Sequence, residues 1–166
     1  MSKIYLASKS PRRKELLAGL GIEFDVLAVN DHTLLNFAGD EEQHPGEAPE
    51  DYVVRTACDK ARAVLMKIRD EGLESRAVLA ADTTVIVNGE VLGKPKDQQE
   101  ACEMLRLLSG RDHQVMTGVT VVKGQRAETF TEVTDLHFRA LSEEEISRKV
   151  DDALAAVELS GAADKY

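Results

Sequence analysis

Ile4-Tyr5-Leu6-Ala7-Ser8-Lys9-Ser10-Pro11-Arg12-Arg13-Lys14-Glu15-Leu16-Leu17 is the stretch on which the reading of the chain turns. Ile4 to Ala7 is short and apolar and predicts a strand. Ser8-Lys9-Ser10-Pro11 predicts a turn into a helix, because Ser10 is a favoured N-cap and Pro11 suits the first helical position. Leu16, Leu17 and Leu20 supply the apolar face of that helix, and Gly21 is placed to end it. A strand that turns sharply into a helix leaves backbone N–H groups free at the helix start. Those donors and the helix dipole favour an anion. Ser8, Ser10, Arg12 and Arg13 add hydroxyl and guanidinium donors of the kind that grip phosphate. The same residues also describe a well-capped surface helix with solvated arginines.

Working outward, Phe24 to Val29 predicts a second strand. Asn30 to Pro49 is irregular, polar and acidic. From Glu50 the apolar residues Val53, Val54, Ala57, Ala61, Val64, Leu65 and Ile68 recur at helical spacing, and Gly72 stops the run. Ala77 to Ala81 predicts a short buried strand with Asp82 at its end. Val85 to Leu92 predicts a hairpin around Asn88-Gly89, the favoured pair for a type I′ turn. Asp97 to Leu108 predicts a helix. Gln114 to Val122 and Ala127 to Phe138 predict two strands joined at Lys123-Gly124. Ser142-Glu143-Glu144-Glu145 opens a last helix as a capping box. After about Val150 the pattern weakens into Ala-rich sequence. Strands alternating with helices, plus a hairpin, imply an α/β fold with a mixed sheet.

The 166 residues predict one domain, with room for two lobes. With 43% hydrophobic residues a core is expected. Asp plus Glu number 30 against 21 Lys plus Arg, a net charge of -9. A general nucleic-acid binder wants a basic field, so that class is disfavoured, and 4% aromatic residues leave little for a base-stacking surface. Cys58 and Cys102, far apart, support neither a disulfide framework nor a thiolate metal site. No apolar run reaches membrane-spanning length, and Met1-Ser2-Lys3-Ile4 lacks a signal-peptide layout, so the expectation is a cytoplasmic protein without a membrane partner.

Further candidates for chemistry follow. Asp82, before Thr83 and Thr84, lies where open α/β sheets bind ligands; it could ligate Mg²⁺, act as a general base toward water, or cap a turn. Lys94, in Gly93-Lys94-Pro95, does not fit the G-x-x-x-x-G-K-[ST] phosphate loop, yet a lysine after a hairpin can reach a phosphate or simply be solvated. Lys60 falls at the edge of its helix's apolar stripe, so its ammonium can reach a cleft or snorkel to water. Asp40, Glu41 and Glu42 could hold a hard cation or form a solvated loop. His32, His44, His113 and His137 show no ligand spacing, and no H-E-x-x-H, G-x-S-x-G or Cys-His arrangement occurs. Together these make the inventory of a nucleotide-phosphate site.

Leu6 to Leu17 closely resembles the opening of the Maf family of nucleoside triphosphate pyrophosphatases, also called septum formation inhibitor proteins. The likeness continues through Tyr52-Val53-Val54-Arg55 and Lys60-Ala61. It is strongest at Ala81-Asp82-Thr83, at Asn88 to Pro95, and at Leu108-Ser109-Gly110 through His113-Gln114-Val115-Met116-Thr117. These blocks stand in the family's order up to about Ser147. The resemblance implies a single domain with a two-lobed mixed sheet, flanking helices and a central cleft, as in the Maf and ITPase-like folds, and the homodimer usual in the family. It implies hydrolysis of a nucleoside triphosphate to the monophosphate and pyrophosphate with a divalent cation, Mg²⁺ or Mn²⁺. By matching, Asp82 is the proton acceptor and a metal ligand, and Arg12 and Thr83 belong to the substrate-selecting set. Ser8, Ser10, Arg13, Lys60 and Lys94 line the phosphate side, and Glu41 is the second metal-holding acid. The Asp82-Thr83 pair and His113 to Thr117 look like the branch acting on dTTP and UTP.

Two departures stand beside this. Asn30 to Gly39 looks like an insertion ahead of the acidic residues. After about residue 150 the family's C-terminal segment has no clear counterpart; Ser160 to Tyr166 echoes it faintly. The rival expectation is therefore a non-catalytic nucleotide-binding or cell-division regulatory relative. The leading expectation needs Arg12 and Arg13 to face Asp82 across one shared pocket.

Overall fold

The structure is a computed structural model that describes residues 2–28, 43–93 and 95–163, with side chains to 153. The element order is β1 (Ile4–Leu6), α1 (Pro11–Gly19), β2 (Phe24–Val26), α2 (Pro49–Asp70), β3 (Val78–Val87), β4 (Glu90–Leu92), α3 (Gln98–Leu108), β5 (Asp112–Lys123), β6 (Arg126–His137) and α4 (Glu143–Ala163). Six strands form a mixed sheet in the order β2-β1-β3-β5-β6, with β4 on β3. The fold is thus α/β, as the alternation of strand and helix signals implies. No helix among the described residues is long and apolar enough to cross a membrane.

The chain divides into two compact units. The first comprises Met1–Thr84 and Val115–Thr134. In it β1 pairs in parallel with β2 on one side and β3 on the other, with Tyr5 opposite Asp25 and Val78. The chain leaves β1 through α1 to β2, then returns through α2 to β3 on the far side. The carboxyl end of β1 is therefore a topological switch point, the place where open α/β sheets receive ligands. Strand side chains alternate between faces. Tyr5, Ala7, Val78 and Ala80 point to one face and pack on Ala61, Val64 and Ile68 of α2. Leu6, Leu79 and Ala81 point to the other, beneath α1.

Local signals explain these elements. Ser10 caps α1, its Oγ accepting from the Arg13 N–H at 3.4 Å, and Pro11 is the first helical residue. Of the predicted apolar face only Leu17 is buried; Leu16 and Leu20 are 62% and 74% exposed. A nine-residue helix resting on a three-strand edge offers one narrow contact line, too narrow for three leucines. Ala57, Ala61 and Ala63 are buried on α2, so that helix lies close to the sheet.

The second unit comprises Val85–Gln114 and Asp135–Tyr166. Asn88 and Gly89 both have positive φ, 54° and 77°, and join β3 to β4 as the Asn-Gly signal predicts. Leu108, Ile146 and Val150 are buried, and Arg106 of α3 bonds Glu143 of α4 at 2.9 Å. Ser142 caps α4 through the Glu145 N–H at 3.1 Å, while the Glu145 carboxylate turns to Arg139 instead of closing a capping box. The backbone of α4 runs on to Ala163, past the point where the sequence pattern weakens.

One prediction in the fold is corrected. Asp82 does not end a strand: β3 runs unbroken from Val78 to Val87. Thr83, Thr84, Val85, Ile86 and Val87 are all β-branched and favour extended backbone enough to carry the strand through the aspartate.

Gly118 of β5 fixes how near α2 lies. A side-chain carbon there would come within 2.5 Å of the Val53 carbonyl oxygen and 2.7 Å of its carbon. Gly118→Ala should therefore lower unfolding free energy by about 1–3 kcal/mol, the usual cost of forcing packed elements apart. Gly93→Ala, which meets nothing within 4 Å, should stay within about 0.5 kcal/mol. Urea unfolding midpoints of both variants check this.

Candidate active site

At the switch point β1 has ended while β3 continues. The Tyr5 N–H bonds the Ala77 carbonyl and the Ala7 N–H bonds the Leu79 carbonyl, both at 2.9 Å. The next carbonyl in that series belongs to Ala81. The chain has by then left the strand for the turn that leads into α1. Arg13 takes the place: its Nη1 donates to the Ala81 carbonyl at 3.1 Å and to Ser8 Oγ at 3.2 Å, and its Nη2 donates to Thr83 Oγ1 at 3.0 Å. Ser8 Oγ also accepts the Ser10 N–H at 3.2 Å. Burial lowers the Arg13 pKa from its ordinary value, and the negative charge of Asp82 works against that.

Arg12, one residue earlier on α1, is exposed and makes no side-chain hydrogen bond or ion pair among the described residues. Arg12 and Arg13 both line a cavity of about 570 Å³ at the start of α1, together with Ser10, Ala81, Thr83 and Thr117. Its remaining wall is aliphatic, from Leu6, Leu16, Leu79 and Val119. Thr83 and Thr117 lie with their hydroxyl oxygens 2.9 Å apart.

Asp82 lies on the other face of β3, as alternation demands. Lys60 of α2 donates to its Oδ1 at 2.8 Å, the two side chains being 27% and 15% exposed. The lysine stem runs along α2 and delivers the ammonium to the end of the core. The cavity at Arg12 and Arg13 therefore does not include Asp82, which corrects the expectation that the two arginines face it across one shared pocket: alternation along β3 turns the carboxylate to the α2 side. The two groups lie on opposite faces of one strand and interact through charge, Asp82 bearing on the Arg13 guanidinium.

The structure thus brings Ser8, Ser10, Arg12, Arg13 and Thr83 together on one side and Lys60 with Asp82 on the other. Lys94, Asp40, Glu41 and Glu42 lie outside the described residues. Among the described residues no group of three His, Cys, Asp or Glu side chains could hold a metal ion. Thr117, named in the sequence only as the end of the matched block His113 to Thr117, was not placed beside Thr83. Its signal was the two-residue period of β5, which places Thr117 and Val119 on the cavity face and Gly118 on the face toward α2.

An α/β sheet with a capped, arginine-bearing helix start at its switch point is an arrangement suited to a phosphorylated ligand. The family model described as "Maf-like protein" matches residues 3–163, and the chain belongs to the Maf family. A dTTP/UTP pyrophosphatase of Aromatoleum aromaticum is 42% identical over 150 residues, covering 90% of this chain and 73% of that protein. A protein of the same name from Escherichia coli K12 is 44% identical over 147 residues, covering 89% and 68%. Among solved structures, the Staphylococcus aureus Ham1 protein is similar at a TM-score of 0.49 and 15% identity, covering 97% of this chain and all of that one.

Arg13→Lys tests whether the guanidinium stands in for the missing strand donor. An ammonium keeps the charge but cannot bond Ser8, Ala81 and Thr83 from one planar fork. Loss of stability of about 1–3 kcal/mol is expected in urea unfolding, the cost of a carbonyl left unpaired. A change within about 0.3 kcal/mol, smaller than one ordinary hydrogen bond, would show the fork to be dispensable.

Proposed function

We propose that this chain hydrolyses a pyrimidine nucleoside triphosphate, dTTP or UTP, to the monophosphate and pyrophosphate. The observation that carries the reading is the pairing of two opposite sites on one strand: an anion-receiving helix start beside Thr83, and a lysine-held carboxylate at Asp82. The relatives named dTTP/UTP pyrophosphatase support the substrate class.

The chemistry follows from this arrangement. Consecutive residues are about 3.8 Å apart along the strand. Past the end of β1, no neighbouring strand on that side separates the two faces of β3 at Asp82 and Thr83. A triphosphate laid across the end of β1 meets the α1 N–H groups and the Arg12 guanidinium on one side. Its α-phosphorus is offered to the Asp82 side on the other. Asp82 accepts a proton from water as the water oxygen bonds to the α-phosphorus. The bond from that phosphorus to the bridging oxygen breaks, and pyrophosphate leaves with its electron pair. Arg12, Lys60 and the helix dipole oppose the charge growing on the leaving group. At an effective dielectric near 20, one charge pair at about 4 Å is worth about 4 kcal/mol. Arg13 holds the frame in which these groups act.

A divalent cation, Mg²⁺ or Mn²⁺, belongs to the proposal. Mg²⁺ binds through one or two carboxylates together with substrate phosphates, so it needs no protein cage. Asp82 is a carboxylate of that kind, and Glu41, within the acidic trio Asp40 to Glu42, is the sequence's candidate for a second. When bound, such an ion neutralises phosphate charge.

Asp82→Asn keeps the size of the side chain and removes the base. With Mg²⁺ and a panel of triphosphates, pyrophosphate release should fall by about 10²–10⁴-fold, the usual contribution of a positioned base. Equal rates for wild type and variant would overturn the assignment. Nucleotide binding by calorimetry without release from the wild type would leave a binding protein in place of an enzyme.

A further inference from the structure

Thr83 and Thr117 face the cavity with their Oγ1 atoms 2.9 Å apart. The pair has a fixed hydrogen-bond account. A guanidinium only donates, so the bond from Arg13 Nη2 at 3.0 Å takes one lone pair of Thr83 Oγ1. Two threonines carry two hydroxyl protons, and their mutual bond uses one. Whichever way that bond runs, one O–H and two lone pairs remain for a ligand. If Thr117 donates, Thr83 shows the free proton and Thr117 the lone pairs. If Thr83 donates, Thr117 shows the free proton. The pair always offers a donor, and acceptor capacity on a neighbouring oxygen.

The surface around them is the second observation. Ala81 and Val119 flank the two threonines on their own strands, and Leu6, Leu16 and Leu79 complete an aliphatic wall. Leu16 is 62% exposed there, apolar surface left without protein cover. A triphosphate chain gains nothing from such a wall, whereas a flat heteroaromatic ring does.

We propose that Thr117 is a specificity-determining residue: bonded to Thr83, it makes a two-oxygen reader for a base edge that sets an N–H donor beside a carbonyl acceptor. The imide edge of uracil or thymine has that arrangement. The edge N–H points to a free lone pair of one threonine, and the adjacent carbonyl accepts the free O–H of the other. Arg13 anchors the pair by holding the Thr83 oxygen, so the reader is tied to the same strut that completes the strand. This inference rests on the pyrimidine nucleotide reading of the site.

The test compares a ligand that carries the base with one that lacks it. Wild type, Thr117→Val, Thr117→Ala and Thr117→Ser are assayed on UTP and on inorganic tripolyphosphate, with thermal melts to verify folding. For Thr117→Val the ratio of kcat/KM on UTP to that on tripolyphosphate should fall by about 10- to 100-fold, mostly through KM, because a hydroxyl partner for the base is gone. Thr117→Ser should hold the ratio near the wild-type value, and Thr117→Ala covers the case in which the valine variant does not fold. Equal losses on both substrates would make Thr117 a structural residue and overturn the proposal. In parallel, UMP and ribose 5-phosphate are titrated by calorimetry. Weaker binding of UMP alone to Thr117→Val supports the proposal even if no triphosphate is turned over. UMP binding unchanged by the substitution, or absent from the wild type, overturns it. Failure of hydrolysis by the wild type counts against the pyrophosphatase reading alone.

Discussion

The contact on which the site depends is the one between the Arg13 guanidinium and the Ala81 carbonyl. A parallel strand pair that ends on one side leaves the longer strand with an unpaired carbonyl, and burying such a group without a partner costs about 1–3 kcal/mol. The protein solves this from α1, which begins only five residues after β1 ends. Because Pro11 and the Ser10 cap fix where the helix starts, they also fix where its third residue stands. Arg13 then bonds the carbonyl, the Ser8 hydroxyl before the helix and the Thr83 hydroxyl beyond it. The turn before α1 and the distant strand β3 are tied by one planar group.

That strut divides the labour between two arginines that look alike in the sequence. Arg13 spends its donors inside the protein, and its burial is compensated by the carbonyl, two hydroxyls and the charge of Asp82. Arg12 remains exposed, with its donors open to a ligand. The resemblance assigned Arg13 to the phosphate side; the geometry adds a supporting task that accounts for its bonds. A similar division holds across β3. The face toward α2 carries Ala80 in the core and Asp82 with Lys60 just beyond, while the face toward α1 carries Ala81 and Thr83 in the cavity. Alternation along one strand places Asp82 and Thr83 on opposite sides within two residues.

Much of this was legible in the chain. The Ser10-Pro11 start, the Asn88-Gly89 turn and the apolar stripe of α2 are local signals, and local signals survive folding because they act over a few residues. Lys60 was legible as a stripe-edge lysine, since helical period alone puts it beside the core. What the sequence concealed depends on contacts between distant segments. Asp82 read as a strand end because an aspartate commonly stops a strand, yet five β-branched residues follow it and the missing neighbour is replaced by a side chain from α1. Leu16 and Leu20 read as core because period does not reveal how wide a surface the helix will meet. Thr117 was visible only within a matched block, since nothing local distinguishes it from any strand threonine until Thr83 is placed opposite.

A chain of net charge -9 is an unexpected receiver for a triphosphate, and the geometry resolves the conflict by distance. At physiological salt, exposed charges more than about 8 Å away are largely screened. Several acids are paired away from the site: Glu143 with Arg106, Glu145 with Arg139, and Glu47 with Arg55. Near the switch point the count reverses. Arg12, Arg13, Lys60 and the positive end of α1 stand against Asp82 alone among the described residues assigned to the site. Net charge therefore governs solubility and long-range approach, while affinity for an anion is decided within one screening length. That separation is why the global composition carried no information about a candidate site for one small polyphosphate.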